Sequence, residues 1–351
     1  MRNGRIRDFI KIRVVEPLLP CLSGIGPVRR WLTPFCYPFV ILMYHRVLPK
    51  QELDTSDPNN LLCVSLERFE EQIAYLKKHH SIISINQLPE RLYTPSNETS
   101  LVITFDDGYR DNLQHALPIL RKYGVPVTIF VVTRYLEGDD FLWHFDLWDI
   151  LRHQDSLDFK WKDARYQCTL FSGEEKIEWF KRLNLLFRSC CSLEEQKDLA
   201  DRLNIEKAIF THSSQLLNWG EVVEMSKDPL IVFGSHTHNH LSMKALPIGV
   251  ARREVEMSIA LLKEHLGYTV EHFSYPYGTP NEAGEPESLL MKSFGIKTAV
   301  TTNWPSLQPT LNPWLLPRFS VLDRTTQYTL HRLLSGWDGL YRRCNLSECF
   351  T

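Results

Sequence analysis

Two adjacent carboxylates, Asp106 and Asp107, precede Gly108 and directly follow an apolar run over residues 101–105. The run predicts a buried strand, and parallel α/β proteins gather their catalytic groups at the carboxyl ends of strands. Because adjacent side chains point in different directions, one carboxylate could bind a metal while the other accepts protons. Taken alone, the motif fits an Asp-Asp-Gly turn that caps the next helix equally well.

Three histidines, His236, His238 and His240, lie within a short segment that also follows an apolar run. His236 and His240 are four residues apart, a spacing that can place two imidazoles on one side of a turn and favours a metal site. Zinc metalloproteases with a His-x-x-x-His pair carry Glu after the first His, whereas this sequence has Thr237 there. The general base must therefore come from elsewhere, and the adjacent carboxylates are the obvious source.

Two imidazoles and one carboxylate would leave a coordination position open for water, which is typical of catalytic zinc. A metal in such a site lowers the pKa of bound water and polarises a carbonyl oxygen, so the chemistry indicated is amide or ester hydrolysis. A third segment, residues 273–278 with the sequence Phe-Ser-Tyr-Pro-Tyr-Gly, ends another apolar run. Backbone N–H groups of the turn at its tip can point at a developing oxyanion.

The three segments, 104–108, 236–240 and 274–278, in this order resemble the first three motifs of polysaccharide deacetylases. This is the NodB-homology group, carbohydrate esterase family four, and the resemblance covers roughly residues 38–320 apart from an insertion. It implies a distorted (β/α)7 barrel. It also implies a hydrolase that removes N- or O-acetyl groups from sugars with one divalent metal ion, for which Zn²⁺ is the expected occupant.

The resemblance also assigns roles to individual residues. Asp106 matches the catalytic base that takes a proton from the attacking water, and the backbone N–H of Tyr277 matches the oxyanion donor. His238 matches no ligand and is expected on the rim of the site. The residues that match the metal ligands are Asp107, His236 and His240.

The third motif departs from the family pattern, because Ser274 stands where an arginine usually orients the base. The Phe-x-Tyr-Pro-Tyr-Gly form is typical of a subgroup that includes biofilm and surface-polysaccharide deacetylases. A later Leu-Pro-Arg segment recurs in that subgroup, and residues 316–318 match it. Arg318 is therefore the candidate cation near Asp106, and a surface arginine after a proline is the alternative.

The position of the general acid is a second departure from the family pattern. The family usually places it in a late Leu-x-His segment, but His331 lies in a predicted helix beyond the last strand. His45 is the better candidate, because the related subgroup opens with a Tyr-His segment whose His protonates the leaving amine. A structural or substrate-contacting role for His45 is the alternative. Asn303 lies near the expected fourth motif, which lacks its Asp, and receives no catalytic role.

Short apolar runs that alternate with helical patterns predict a parallel barrel close to the (β/α)₈ type, and the resemblance implies seven strands. Between the fourth and fifth runs we expect a mostly helical insertion, about residues 138–225, over one mouth of the barrel. The insertion lies within a predicted barrel domain over residues 38–330. An N-terminal arm over 1–37 precedes this domain, and a C-terminal tail over 331–351 follows it. The predicted strands are Phe39–Tyr44, Ser81–Ile85, Leu101–Phe105, Val127–Val132, Leu230–Phe233, His272–Tyr275 and Thr298–Thr302.

Composition excludes several classes. Of 351 residues, 43% are hydrophobic and 23% charged, which excludes a largely disordered chain and a polytopic membrane protein. The near balance of 40 basic and 42 acidic residues argues against nucleic acid as a partner. A convincing secretory signal and C-x-x-C pairs are both absent, so we expect a cytoplasmic protein with mostly reduced cysteines.

Residues 1–30 combine seven basic side chains with two acidic ones and interleaved apolar residues. Such a segment can lie on an anionic membrane surface, and here this would be the inner membrane face. The alternative is a solvated arm that packs on the domain behind it.

Together these features predict a metal-dependent hydrolase that removes an N-acetyl group from an amino sugar in a polysaccharide or lipid-linked glycan. One alternative is a sugar N-deformylase or small-amide hydrolase on the same barrel. Another is a non-catalytic glycan-binding protein on a decayed barrel.

Overall fold

The computed structural model describes residues 39–93, 99–138, 141–205, 213–303 and 312–334. The predicted arm over 1–37 and residues 335–351 of the predicted tail lie outside these ranges, and so does the predicted membrane contact of residues 1–30. Within the described ranges, no helix combines the length and apolar character needed to span a bilayer. The cysteines there, Cys63, Cys168, Cys190 and Cys191, are all free thiols.

The strands of the described chain are β1 (Phe39–Tyr44), β2 (Arg46–Leu48), β3 (Cys63–Ser65), β4 (Ser81–Ile82), β5 (Ser100–Phe105), β6 (Val127–Val131), β7 (Ser156–Trp161), β8 (Ala164–Thr169), β9 (Ile231–Ser235), β10 (His272–Ser274), β11 (Thr298–Val300) and β12 (Arg318–Ser320). The α-helices are α1 (Leu66–His79), α2 (Leu88–Arg91), α3 (Leu117–Tyr123), α4 (Thr133–Leu136), α5 (Trp143–His153), α6 (Gly173–Arg188), α7 (Leu193–Arg202), α8 (Trp219–Met225), α9 (Ile248–Leu266), α10 (Glu285–Ser293) and α11 (Gln327–Leu334).

Seven parallel strands form a nearly closed barrel in the order β11-β10-β9-β6-β5-β1-β12. The segment before β12 joins the two ends of this order, because Leu316 N–H donates to the Ala299 carbonyl at 2.9 Å and Thr301 N–H donates to the Leu316 carbonyl at 2.8 Å. The expected distorted (β/α)7 barrel is therefore confirmed, with helices between most strands.

The seventh barrel strand is β12 and not the predicted run at Ser81–Ile85, which was wrong as a barrel strand. Of this run, Ser81–Ile82 forms a strand, which pairs with the start of β5 off the barrel path. The other six predicted strands lie within two residues of the observed bounds. β12 has no apolar run because it begins with the buried Arg318 directly after Pro317.

Alternate residues of β1, β5 and β6 pack into different clusters, as the two-residue period of a strand requires. On β1, Val40 and Leu42 pack in the large cluster that also contains the apolar faces of α1 and α3. Ile41 belongs to another cluster, together with Val102 from β5 and Phe130 from β6. Polar residues replace these apolar ones toward the carboxyl ends of the strands, where the candidate site lies.

The insertion has a hydrophobic core of its own, built from α5, α6, α7 and the β7–β8 hairpin. The expectation of a mostly helical insertion missed this antiparallel hairpin. Leu157, Phe159 and Trp161 alternate with exposed residues along β7, so only one face is apolar and no continuous apolar run marks the strand.

His272, on β10, is buried in neutral form. Its Nδ1 lies 2.8 Å from Thr298 Oγ1 and its Nε2 lies 2.8 Å from Asn86 Oδ1. Burial lowers its pKa from 6.5 to about 4. The imidazole of His272 therefore binds a proton more tightly in the unfolded chain than in the folded one. The contribution of neutral His272 to the free energy of unfolding is complete above about pH 6.5 and is lost as the pH falls toward about 4.

We expect wild-type protein to lose about 3 kcal/mol more unfolding free energy between about pH 7 and pH 4 than a His272→Gln variant, in which this position does not titrate. Urea unfolding of both proteins at the two pH values measures the difference. The contributions of the carboxylates and of the remaining histidines to the pH dependence are the same in both proteins, so they cancel in the comparison. An identical pH dependence in the two proteins would show that His272 is not responsible.

Candidate active site

The three separated motifs meet at the carboxyl ends of the barrel strands, around a cavity of 420 Å³. The loops after β1, β5, β9 and β10 all contribute to its lining. The sequence-predicted residues that line the cavity are His45, Asp106, Asp107, His236, His240 and Tyr277.

Asp107, His236 and His240 form a compact set of metal-ligating groups, with one donor atom from each within 4.8 Å of the others. Asp107 Oδ1 lies 3.4 Å from His236 Nε2 and 3.3 Å from His240 Nε2. His236 Nδ1 lies 2.7 Å from the Ser274 carbonyl, so Nδ1–H donates there and leaves the Nε2 lone pair facing Asp107. Two imidazole nitrogens and one carboxylate oxygen, held in this way, fit a zinc ion with an open coordination position.

Electrostatics keep Asp107 in the form that a metal ligand requires. Burial raises the pKa of its carboxyl, but the neighbouring imidazoles of His236 and His240 outweigh burial and hold that pKa well below the usual range. The carboxylate is therefore ionised at neutral pH.

The backbone of the motif loops is unusual. Left-handed φ angles, which non-glycine residues rarely adopt, occur at Asp107 (75°), Thr237 (66°), His240 (59°) and Tyr277 (60°). Side-chain contacts hold the histidine loop in place. Thr237 Oγ1 accepts from His240 N–H at 2.9 Å, and the carboxylate of Glu254 accepts from Asn239 N–H at 2.8 Å. Such strain persists only where the surroundings fix it, and it clusters at functional sites.

Asp106 and Arg318 form a buried ion pair with two hydrogen bonds. Arg318 Nη1 donates to Asp106 Oδ1 at 2.8 Å and Nη2 donates to Oδ2 at 2.6 Å. Burial raises the pKa of Asp106, but the Arg318 guanidinium and His236 lower it below the usual value. Arg318 therefore occupies the place proposed for the missing cation and keeps Asp106 ionised.

Ser274 links the two halves of the site. Arg318 Nη2 donates to Ser274 Oγ at 2.9 Å, and this hydroxyl donates to Asp106 Oδ2 at 3.2 Å. Its carbonyl is the acceptor that orients His236. The position where the sequence resemblance led us to expect an arginine thus holds a residue small enough to admit the guanidinium of Arg318 from β12.

The turn at Tyr277 leaves a backbone donor available. Gly278 N–H donates to the Pro276 carbonyl at 2.7 Å, and the Tyr277 carbonyl accepts from Thr302 Oγ1 at 2.6 Å. Among the hydrogen bonds of the described residues, none uses Tyr277 N–H. Gly278 has a φ of 63°, and a Cβ there would lie 2.8 Å from Thr302 N, so only glycine fits this turn.

His45 follows β1 and lines the same cavity as the carboxylates. Its carbonyl accepts from Asn112 Nδ2 at 2.9 Å, which anchors the backbone at this point. Burial lowers the pKa of His45, although Asp107 and Asp106 act in the opposite direction. A lowered pKa makes its protonated form a stronger acid.

Two other histidines lie elsewhere. The expectation that His238 lies on the rim of the site was wrong. His238 is buried, and its Nδ1 lies 2.9 Å from Thr133 Oγ1 at the start of α4. His331 lies on α11, where its Nδ1 is 3.2 Å from Tyr75 Oη on α1. It is not among the residues that line the cavity.

Which residues of the insertion reach the site could not be predicted from the sequence. Residues of α5 and α6 form one wall of the cavity, and Trp143 stacks on Phe187 with ring centroids 4.3 Å apart. The many aromatic residues of the insertion indicate a role near the site, but they do not show which positions line the cavity. The residues of the insertion that line it are Trp143, His144, Phe145, Phe180, Asn184 and Arg188.

Comparison with known proteins identifies the family. The family model described as polysaccharide deacetylase matches residues 94–157 and 193–298, a range that includes the carboxylate, histidine and Tyr277 motifs. With this match and the barrel fold, the chain belongs to the polysaccharide deacetylase family.

Relatives of similar length support this assignment. A poly-β-1,6-N-acetyl-D-glucosamine N-deacetylase of Staphylococcus aureus is 23% identical over 322 residues, which cover 86% of this chain and 83% of that protein. The solved structure of deacetylase PplD from Streptococcus pyogenes, in complex with acetate, superimposes with a TM-score of 0.57 at 18% identity, covering 84% of this chain and 97% of the other. The solved structure of IcaB from Ammonifex degensii superimposes with a TM-score of 0.53 at 19% identity, covering 85% of this chain and 97% of the other. These two structures share the fold.

Proposed function

We propose that this protein is a metal-dependent N-deacetylase that acts on an N-acetylated amino sugar within a glycan. The observation that carries the proposal is the arrangement around one cavity of a metal-ligand set, the ionised Asp106 and the backbone donor of Tyr277. Family membership and the relative named as an N-deacetylase of poly-β-1,6-N-acetyl-D-glucosamine support the substrate class.

A divalent ion held by Asp107, His236 and His240, with zinc as the expected metal, would supply Lewis acidity for the attack of water on the acetamide carbonyl. Asp106 accepts a proton from the attacking water, because it is ionised and lies next to the ligand set. Arg318 fixes the orientation of that carboxylate. The backbone N–H of Tyr277 donates to the carbonyl oxygen as negative charge develops there.

His45 donates a proton to the departing sugar nitrogen in this proposal. It lines the same cavity as Asp106 and Asp107. The products are acetate and a glycan with a free amine. The aromatic wall of the insertion provides faces on which sugar rings can stack.

Matched acetyl and formyl substrates test the proposal against an N-deformylase. β-1,6-linked N-acetylglucosamine pentamer and its N-formyl counterpart are incubated with the zinc-loaded protein, and acetate and formate are quantified. We expect acetate release from the acetyl pentamer at least as efficient as formate release from the other. Formate release alone would favour the deformylase, and release of neither acid would favour a glycan-binding protein.

We also propose, from the sequence of residues 1–30, that the protein contacts the cytoplasmic face of the membrane and acts there on a lipid-linked glycan. Co-sedimentation of the full chain and of a chain lacking residues 1–30 with vesicles rich in anionic lipid tests this. Binding of both proteins to the same extent, or of neither, would contradict it.

A further inference from the structure

The insertion contacts the turn that presents the Tyr277 N–H. Arg188, the last residue of α6, lies with its guanidinium carbon 4.5 Å from the centroid of the Tyr277 ring. The same guanidinium pairs through Nη2 with Glu282, a few residues after the turn. One side chain of the insertion therefore touches two points of the loop that follows β10.

The Tyr277 ring is held by packing and not by its hydroxyl. It packs against the hydrophobic core of the insertion, although its backbone belongs to the barrel loops. Its Oη is buried and has no hydrogen-bond partner among the described residues. A cation over an aromatic face is attractive, and more so where water is excluded. Arg188 is thus a polar contact that can fix this ring.

Glu282 extends the contact along the loop. Its side chain is buried and accepts from Thr279 N–H at 3.0 Å as well as from the Thr279 hydroxyl. The loop from Tyr277 to Glu282 is therefore closed on itself by Glu282 and fastened to the insertion by Arg188. The left-handed φ of 60° at Tyr277 is a conformation that needs such support.

We propose that Arg188 is a positioning residue, through which the insertion holds the Tyr277 turn so that its N–H points at the developing oxyanion. This inference rests on the proposed deacetylase function. Arg188 also lines the cavity, so the element that forms the glycan-side wall is the same element that aligns the backbone donor. The insertion thereby acts on the chemical step as well as on substrate binding.

Kinetics on the β-1,6-linked N-acetylglucosamine pentamer separate positioning from substrate contact. Arg188→Ala is expected to lower kcat by about 10- to 100-fold with KM changed less than about threefold, since the lost interaction matters mainly in the transition state. Arg188→Lys, which keeps the charge, is expected to recover most of this loss. Arg182→Ala is the matched control, because Arg182 lies exposed on the same helix and stacks on Trp179 outside the cavity.

A rise in KM with unchanged kcat would make Arg188 a substrate contact and overturn the proposal. So would a kcat within about twofold of wild type, or a loss in Arg188→Lys as large as in Arg188→Ala. Metal content and unfolding temperature are measured on all variants. Lost metal or a collapsed fold in Arg188→Lys as well as Arg188→Ala would indicate a general structural role and would also overturn it.

Amide hydrogen exchange supplies a readout that does not need the reaction. In Arg188→Ala we expect faster exchange over residues 275–283, by about tenfold, with the barrel strands unchanged and Arg182→Ala like wild type. Unchanged exchange in that segment contradicts the positioning role even if the wild-type protein proves to act on another substrate. Inactivity of the wild type together with faster exchange would instead contradict only the proposed deacetylation.

Discussion

Replacing His236 by alanine is expected to remove the bound metal and to lower acetate release by several orders of magnitude, because in the proposed mechanism the metal would supply the Lewis acid. Only Asp107 and His240 would remain of the ligand set. Metal content by elemental analysis and acetate release from the β-1,6-linked N-acetylglucosamine pentamer measure the two losses on one preparation.

His238→Gln is the matched control for this variant. His238 lies between the two ligand histidines in sequence but contacts Thr133 Oγ1 through Nδ1, and glutamine can retain a hydrogen bond there. We expect this variant to keep one metal ion per chain. Metal retained by His236→Ala, or lost by His238→Gln with the fold intact, would show that the ligands have been assigned incorrectly.

The second large effect is expected from Asp106→Asn, which should lower kcat by about 10²- to 10⁴-fold, the usual contribution of a general base. The amide cannot accept the proton of the attacking water. Metal content should stay at one ion per chain, because Asp106 is not in the ligand set. A kcat within about tenfold of wild type, or loss of the metal, would contradict the role of Asp106 as base.

The same substitution should also destabilise the fold. Arg318 is almost completely buried, and removing the charge of its partner leaves a buried cation uncompensated, which costs about 3–5 kcal/mol. The double variant Asp106→Asn/Arg318→Met should recover part of this stability without recovering activity. Chemical unfolding of the single and double variants measures this, and separates the effect on folding from the effect on catalysis.

The parts of the fold that follow from local patterns could be predicted from the sequence. Continuous apolar runs such as Phe39–Tyr44 mark strands buried on both faces, and that strand has the predicted bounds. The two carboxylates and the histidines stand directly after such runs, so their meeting at one end of the barrel follows from parallel strand order.

The parts that depend on distant contacts could not be predicted in this way. β12 is extended because it pairs with β1 and because Arg318 is neutralised by Asp106, 212 residues away in sequence. His238 is buried where it meets Thr133, at the start of α4. The contact of Arg188 with Tyr277 joins the insertion to the barrel and leaves no local pattern in either segment.

The insertion distinguishes this chain from a barrel with an open mouth. Its own core places α5 and α6 beside the site, and the aromatic side chains there face the same cavity as the ligand set. A glycan bound in this cavity would therefore contact barrel and insertion at once. This explains why the site is assembled from both parts.

The most direct test of the central claim is acetate release from the β-1,6-linked N-acetylglucosamine pentamer by protein stripped with a chelator and then titrated with Zn²⁺. We predict no acetate from the stripped protein and full recovery at one equivalent of zinc per chain, with no recovery in Asp107→Ala. Equal acetate release by stripped and reloaded wild-type protein, or none by either, would contradict a metal-dependent deacetylase at this site.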